Sequence, residues 1–309
     1  MKILYSCLNW GMGHVARSIS LINTLEHQNN RLIIVGDSTQ LKIIRTYFPK
    51  INIIEFEGYP FDFSETKSFH KALWKQKKKL NRFINIEKKW VYEKVIKYDI
   101  DLVLSDHRYG FRCKKCNSIF ITHQVKLPLK GLYKIFQFIH SYWLRQFDML
   151  WIVDNADKKL AGKLSSVDFI KNNYEFIGLL SRFQLKNKPI MNEKNGVSVL
   201  VLSGPNVHLN YLFNYYNNHS NKQFVQVIVG ETSALDKIPK EKDFVFMESK
   251  NWLDVDGVLL SANEIFSFMG YSTLMDAMYL TADFHLIPCP NQWEQEYLGS
   301  IHPKIFRNR

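Results

Sequence analysis

A doubly wound α/β fold, built twice along the chain, is the architecture this sequence predicts. Three observations carry it. Apolar runs of strand length alternate with longer polar-apolar stretches, the pattern of a parallel sheet with crossover helices. Glycines sit where such runs close or turn into a helix, at Gly11, Gly13, Gly204, Gly230 and Gly270. A polar stretch, Ser181 to Gly196, separates one alternation from the next. The length of 309 residues also exceeds what one hydrophobic core ordinarily serves. The expected organisation is an N-terminal domain over 1–180, a linker over 181–196 and a C-terminal domain over 197–309. The two are expected to be Rossmann-like and to face each other across a cleft.

In chain order, the first strand is Lys2–Cys7. A glycine turn, Gly11-Met-Gly-His-Val-Ala-Arg-Ser18, leads from it into Val15, Ile19, Ile22 and Leu25, spaced three or four apart as on one helix face. Strands are expected at Arg31–Gly36, Ile51–Phe56, Asp101–Ser105, Ser118–Thr122 and Met149–Val153, with a short last one at Glu175–Gly178. The second half offers Val197–Leu202, Phe224–Val229, Phe244–Met247, Gly257–Leu260 and Phe284–Pro288. No short repeat is present; what repeats is a whole architecture. Sheets of this kind bind ligands at the C-terminal ends of their strands.

Hydrophobic content of 46% supplies a core without disulfide or metal staples. Cys7, Cys113, Cys116 and Cys289 are scattered, as suits a reducing compartment. The chain opens with no basic-then-apolar signal, and no apolar run approaches the ~20 residues of a membrane span. The expectation is a cytoplasmic protein. The chain carries a net charge of +12, and Lys/Arg is concentrated between Lys67 and Lys97, with Lys75, Lys77, Lys78, Lys79, Arg82, Lys88, Lys89, Lys94 and Lys97. A solvated helix face explains such a run as well as an anionic partner does. Among partners, an anionic membrane surface is favoured over nucleic acid. The segment Val125 to Phe147 mixes Leu127, Leu129, Leu132, Phe136, Phe138, Ile139, Trp143 and Phe147 with Lys126, Lys130, Lys134 and Arg145, which suits an interface and equally a buried helix.

The glycine turn is an anion site in the making. Glycines let the backbone come close, and the free N–H groups and dipole of a helix start favour negative charge. His14 and Arg17 put an imidazole and a guanidinium beside it. Read alone, Gly11-x-Gly13-x-x-Ala16 with Asp37 after the second strand fits a dinucleotide fingerprint, so a nicotinamide oxidoreductase is the competing reading. Against it, Asn9-Trp10 and His14 make the turn bulky where a pyrophosphate should lie. The second half also carries a nucleotide-like site of its own. There Gly270-Tyr-Ser-Thr-Leu-Met-Asp276 follows the apolar run Glu264–Met269. Ser272 and Thr273 offer hydroxyls and N–H groups, and Asp276 a carboxylate for a ribose; helix capping and a solvated acid are the plain alternatives. Pro288-Cys-Pro-Asn-Gln-Trp-Glu-Gln-Glu-Tyr297 is dense in amides and carboxylates that can read sugar hydroxyls, or can form an ordinary capped loop.

Together these motifs resemble the GT-B glycosyltransferases of the MurG and diacylglycerol-glucosyltransferase type, over most of the chain. The resemblance rests on Trp10 to Arg17, Ser105-Asp-His-Arg-Tyr-Gly110, Ile121-Thr-His-Gln124, Gly270 to Asp276 and Gln292 to Leu298. It implies a nucleotide-sugar donor, a UDP-sugar such as UDP-GlcNAc, on the C-terminal domain, with Asp276 on the ribose. It places Ser203, Gly204, Ser272 and Thr273 near the diphosphate, and Gln292, Gln295 and Glu296 near the sugar. It puts a glycan or lipid-linked acceptor on the N-terminal domain, with Gly13 and His14 facing the cleft. His14 is the leading candidate for general base, with Asp106 and His123 behind it at strand ends. Arg17 is a candidate for the leaving phosphate. No cofactor and no obligate metal are expected, because helix dipoles and N–H groups can hold the diphosphate.

The sequence departs from that family in three places. Phe268-Met269 stand where an Arg-Ser pair is usual, Asn291 replaces a glycine, and the chain stops soon after Leu298, where the family continues. A nucleotide-sugar-binding protein with little turnover is therefore a second reading. Cys113-x-x-Cys116 lacks the further ligands of a metal site, and Asp254-x-Asp256 repeats the chance spacing of Asp99-x-Asp101.

Overall fold

The computed structural model describes residues 1–61, 69–129, 131–185, 196–238 and 243–303. Residues 186–195 of the expected linker lie outside the described residues, as do Lys67 and Lys130. The chain forms two compact units, Met1–Arg182 and Phe183–Arg309.

The first unit is built on a seven-stranded sheet of β1 (Lys2–Cys7), β2 (Arg31–Gly36), β3 (Asn52–Glu55), β4 (Leu102–Asp106), β5 (Asn117–Thr122), β6 (Met149–Ile152) and β7 (Asn173–Phe176). The strand order is β3-β2-β1-β4-β5-β6-β7, and every pairing is parallel. The order reverses between β1 and β4, where Cys7 lies in register with Asp106. The central strands are buried on both faces, so they read as continuous apolar runs rather than alternating ones.

Helix α1 (Met12–His27) follows β1 and buries Val15, Ile19, Ile22 and Leu25, the expected apolar stripe. Helix α2 (Ser38–Tyr47) is started by a capping box in which Asp37 accepts from the Gln40 N–H at 2.9 Å and Gln40 returns a bond to the Asp37 N–H. The basic run lies on one long helix, α3 (Phe69–Tyr98). Its inner face buries Leu80, Phe83, Ile84, Val91 and Val95, while Lys75, Lys77, Lys78 and Lys79 stand in solvent. Helix α4 (Ile135–Leu144) occupies the aromatic segment between β5 and β6.

The second unit carries a five-stranded sheet of β8 (Val197–Val201), β9 (Val225–Gly230), β10 (Val245–Glu248), β11 (Glu264–Phe268) and β12 (Asp283–Ile287). All pairings are parallel, in the order β10-β9-β8-β11-β12, and the order reverses between β8 and β11. Its helices are α5 (Leu209–His219), α6 (Thr232–Leu235), α7 (Trp252–Ser261), α8 (Tyr271–Ala277) and α9 (Trp293–Ile301).

One expected strand is a helix. Gly257–Leu260 falls inside α7, which buries Trp252, Val255 and Leu259 at three- and four-residue spacing. The helical period extends over ten residues, and a four-residue apolar window hides it. The fourth strand in chain order is instead Glu264–Phe268, the apolar run before Gly270.

Candidate active site

The chemistry-bearing residues of the first unit converge at the point where its strand order reverses. His14 and Arg17 come from the first turns of α1. Asp106 is the last residue of β4, and His123 directly follows β5. The spacing of three residues puts His14 and Arg17 on one helix face. Parallel pairing of β4 with β1 and β5 brings Asp106 and His123 to the same sheet edge.

The contacts are dense. Arg17 Nε donates to Asp106 Oδ2 at 2.7 Å, and its Nη2 donates to Asp106 Oδ1. His14 Nδ1 lies 3.0 Å from Asp106 Oδ1 and 2.8 Å from Arg17 Nη2. Arg17 Nη1 meets His123 Nδ1 at 3.1 Å. Asp106 is 1% exposed and Arg17 3%. The four residues the sequence offered as catalytic candidates thus form one network. The Arg17 guanidinium is buried, with hydrogen bonds to Asp106 and His123. Its place is to hold Asp106.

Burial alone would raise the Asp106 carboxyl, but Arg17 and His14 outweigh it and hold it well below the usual carboxylate range. Burial and the Arg17 guanidinium push the His14 imidazole down, against the pull of Asp106. His14 is therefore neutral near pH 7. When Nδ1 carries the proton it donates to Asp106. That leaves Nε2 with a lone pair and no hydrogen-bond partner among the described residues. The His14 side chain is 16% exposed.

The sequence reading missed His107. It adopts φ 60°, a left-handed conformation in which His is enriched among non-glycine residues. Its ring packs edge-on against His14 at 5.2 Å between centroids, and its Nε2 meets Thr122 Oγ1 at 2.7 Å. Burial, then His14 and Arg17, push it well below the ordinary histidine range, so it too is neutral. Its position between Asp106 and Arg108 in the Ser-Asp-His-Arg-Tyr-Gly motif was the available signal.

The rest of that motif braces the loop. Arg108 Nε donates to Glu87 Oε1 at 2.6 Å, with both side chains fully buried, and Arg108 Nη2 donates to the Glu57 carbonyl at 2.9 Å. Tyr59 donates to Glu87 Oε2 at 2.8 Å and accepts from the Gly110 N–H at 3.1 Å. The loop after β4 is thereby tied to α3 and to the segment after β3. Glu87 was legible as an acid on the buried stripe of α3. Gly11, the N-cap of α1, adopts φ 102°, which an L side chain would strain. Asp37, the ribose carboxylate of the competing reading, is spent on capping α2.

The donor candidates gather at the corresponding edge of the second unit. Ser203 and Gly204 follow β8, Gly230 ends β9, and Gly270 caps α8. Ser272, Thr273 and Asp276 lie on α8, all half-buried. Ser203 Oγ is 3.4 Å from Ser267 Oγ of β11, across the reversal of strand order. Gly204 adopts φ 97°, and a Cβ there would come within 3.2 Å of the Phe268 ring. Phe268 and Met269 are themselves core residues, 2% and 1% exposed, so no cation stands where the family carries one. Gln292 caps α9. Gln295 accepts from the Cys289 N–H at 2.9 Å and donates to Gln292 Oε1 at 2.7 Å, so both amides shape the loop, with Glu296 beside them on α9. Asn291 adopts φ 64°, so asparagine serves in the left-handed conformation that the family's glycine would favour.

No protein-family model and no curated protein matches the sequence. Solved structures match the fold. A UDP-glucosyltransferase from Polygonum tinctorium, capable of glucosylating indoxyl, is similar at a TM-score of 0.61 and 11% identity, over 96% of this chain and 82% of that one. A glycosyltransferase from a Streptomyces species is similar at 0.60 and 10% identity, over 97% of this chain and 85% of that one. MurG of Acinetobacter baumannii reaches 0.50 at 10% identity, over 97% and 82%. The shared feature is the GT-B fold, with two Rossmann-like domains in one chain.

Proposed function

We propose that this chain transfers a sugar from a nucleotide sugar, a UDP-sugar such as UDP-GlcNAc, to a hydroxyl on a glycan or lipid-linked acceptor. The observation that carries the reading is the His14–Asp106 pair at the sheet reversal of the first unit, with Nε2 open. The acceptor hydroxyl gives its proton to His14 Nε2 as its oxygen bonds to the anomeric carbon of the donor. The bond from that carbon to the diphosphate breaks, and the diphosphate leaves with the electron pair. Asp106 stabilises the imidazolium without taking the proton, and Arg17 fixes Asp106. His123 holds Arg17 from the other side.

In this reading the second unit holds the donor. Asp276 accepts the ribose hydroxyls. The backbone N–H groups after Ser203 and Gly204, and the Ser272 and Thr273 hydroxyls, take the diphosphate. Glu296 and the Gln292–Gln295 pair meet the sugar. With Phe268 in the core, neutral donors carry the diphosphate, and no metal is assigned. All four cysteines are free, which favours a cytoplasmic site of action. The fold shared with glycosyltransferases supports the reading, and the capping role of Asp37 counts against the nicotinamide alternative.

The test has two steps. A thermal-shift panel compares UDP, UDP-GlcNAc, UDP-glucose, GDP and NADH. A binder at a hundredfold excess over its Kd stabilises by about 2.7 kcal/mol. Stabilisation by UDP compounds is expected; stabilisation by NADH alone overturns the proposal. With a donor in hand, His14→Ala should lower transfer about 10²- to 10⁴-fold. UDP binding with no transfer to any hydroxyl acceptor would identify a binding protein instead.

A further inference from the structure

The second unit holds a cavity that the transfer reaction leaves unused. Gln226 and Ile228 of β9 lie two residues apart and so point to the same face of the sheet. Helix α5 packs on that face and brings Phe213, Tyr216 and Asn217. Lys222 of the turn after α5, with Asp243 and Phe244 ahead of β10, completes the lining of a hollow of about 300 Å³. It lies along the first half of β9, whereas the donor candidates gather where β9 ends at Gly230. That volume is at the low end for small-molecule sites and suits a compound with a single ring system.

The walls are fixed before any ligand arrives. Ile228 is fully buried, and Phe213 and Tyr216 are 3% and 4% exposed. The Gln226 amide is held at four points. Its Oε1 accepts from the Tyr216 hydroxyl at 2.7 Å and from Ser220 Oγ at 3.2 Å. Its Nε2 donates to the Asn221 carbonyl at 2.9 Å and to the Phe224 carbonyl at 2.7 Å. A site held in this way takes a ligand with little ordering cost. Three rings, of Phe213, Tyr216 and Phe244, make the lining aromatic.

The same lining carries both signs of charge. Lys222 is exposed, donates to Ser220 Oγ and sets its Nζ 5.4 Å from the Tyr216 ring centre. Asp243 is exposed beside Phe244. An anion alone would meet Lys222 but face Asp243, and a cation alone would meet Asp243 but face Lys222. A compound that joins an ammonium, a carboxylate and a ring matches the whole lining. We propose that this cavity binds a free α-amino acid with an aromatic side chain, its ring among Phe213, Tyr216 and Phe244, its carboxylate at Lys222 and its ammonium at Asp243. The site does not depend on the transfer reaction, and its test uses no activity.

The full chain is titrated calorimetrically with phenylalanine, and in parallel with hydrocinnamate, phenethylamine and glycine, which lack the ammonium, the carboxylate and the ring. Phenylalanine is expected to bind, and each of the other three at least about tenfold more weakly, because a hydrogen bond to a charged group or a buried ring is worth that factor or more. Lys222→Gln and Asp243→Asn should each weaken phenylalanine at least about tenfold. Lys222→Gln should not weaken phenethylamine, and Asp243→Asn should not weaken hydrocinnamate, since neither probe uses the charge removed. Both positions are exposed, and unchanged urea midpoints show intact folds. Absence of phenylalanine binding up to its solubility limit overturns the proposal. So does binding that neither variant weakens. Hydrocinnamate or phenethylamine binding as tightly as phenylalanine would overturn the amino-acid assignment as well.

Discussion

Replacing Asp106 by asparagine removes one charge and almost no volume. The carboxylate it replaces is 1% exposed and faces Arg17 Nε at 2.7 Å, Arg17 Nη2 and His14 Nδ1 at 3.0 Å. Arg17 is 3% exposed and cannot turn to water. Its guanidinium would stay buried against an amide and two imidazoles. Breaking a buried pair by removing one partner costs about 3–5 kcal/mol. In a unit of this size that lowers Tm by roughly 10 °C. The same change acts on His14: with the carboxylate gone, burial and Arg17 act unopposed, so its pKa falls further. The asparagine amide also no longer selects the Nδ1–H tautomer, so transfer should fall about 10²- to 10⁴-fold. Urea unfolding followed by tryptophan fluorescence reads the stability, and NMR titration of the imidazole reads the pKa. A companion variant separates the two effects. Arg17→Met with Asp106→Leu replaces the pair by apolar groups and should recover most of the stability while transfer stays lost. If Asp106→Asn costs less than about 1 kcal/mol and leaves transfer intact, the buried network does not do what is argued for it.

Other outcomes follow from the same physics. Glu87→Ala leaves Arg108 buried without its carboxylate and takes the acceptor from Tyr59, so it should cost about 3–5 kcal/mol in denaturant unfolding. Gly204→Ala faces both the φ of 97° and the Phe268 ring at 3.2 Å, and should cost about 1–3 kcal/mol while weakening UDP binding in a thermal-shift titration. Asn291→Gly should be neutral, and Asn291→Val should cost about 1–2 kcal/mol, because only the latter strains the left-handed backbone. Acid should destabilise the first unit early. Burial pushes His140 down to about 4, and also lowers His14 and His107 from the ordinary value. The unfolded chain then binds more protons than the folded one below about pH 6.5. Stability should be full above that pH and fall as pH drops toward 4, by up to about 3 kcal/mol for His140 alone. A midpoint flat between pH 7 and 4.5 would refute it.

Much of the fold was legible in the sequence because buried parallel strands are short continuous apolar runs, and their boundaries fell close to those observed. Gly257–Leu260 misled because four residues cannot distinguish a buried strand from a buried helix face. The chain by itself also marked the candidate residues, since a glycine turn followed by His14 and Arg17 sets ionisable groups beside an anion-binding helix start. Tertiary structure alone brought them together. His14 and Asp106 are separated by 92 positions and meet only because β4 pairs with β1 at the reversal of strand order. Arg17, a candidate for the leaving phosphate from the sequence, lies buried against Asp106, a placement that only the packing shows. Helix α4 shows the same division. Its composition announced an apolar, aromatic and basic segment. Only the packing shows that Phe136, Leu144 and His140, bonded to the Gln124 carbonyl, turn inward while Ile135, Phe138, Ile139 and Tyr142 stay in water. Periodicity marks the faces of a helix, but the partners of its polar groups fix which face turns inward.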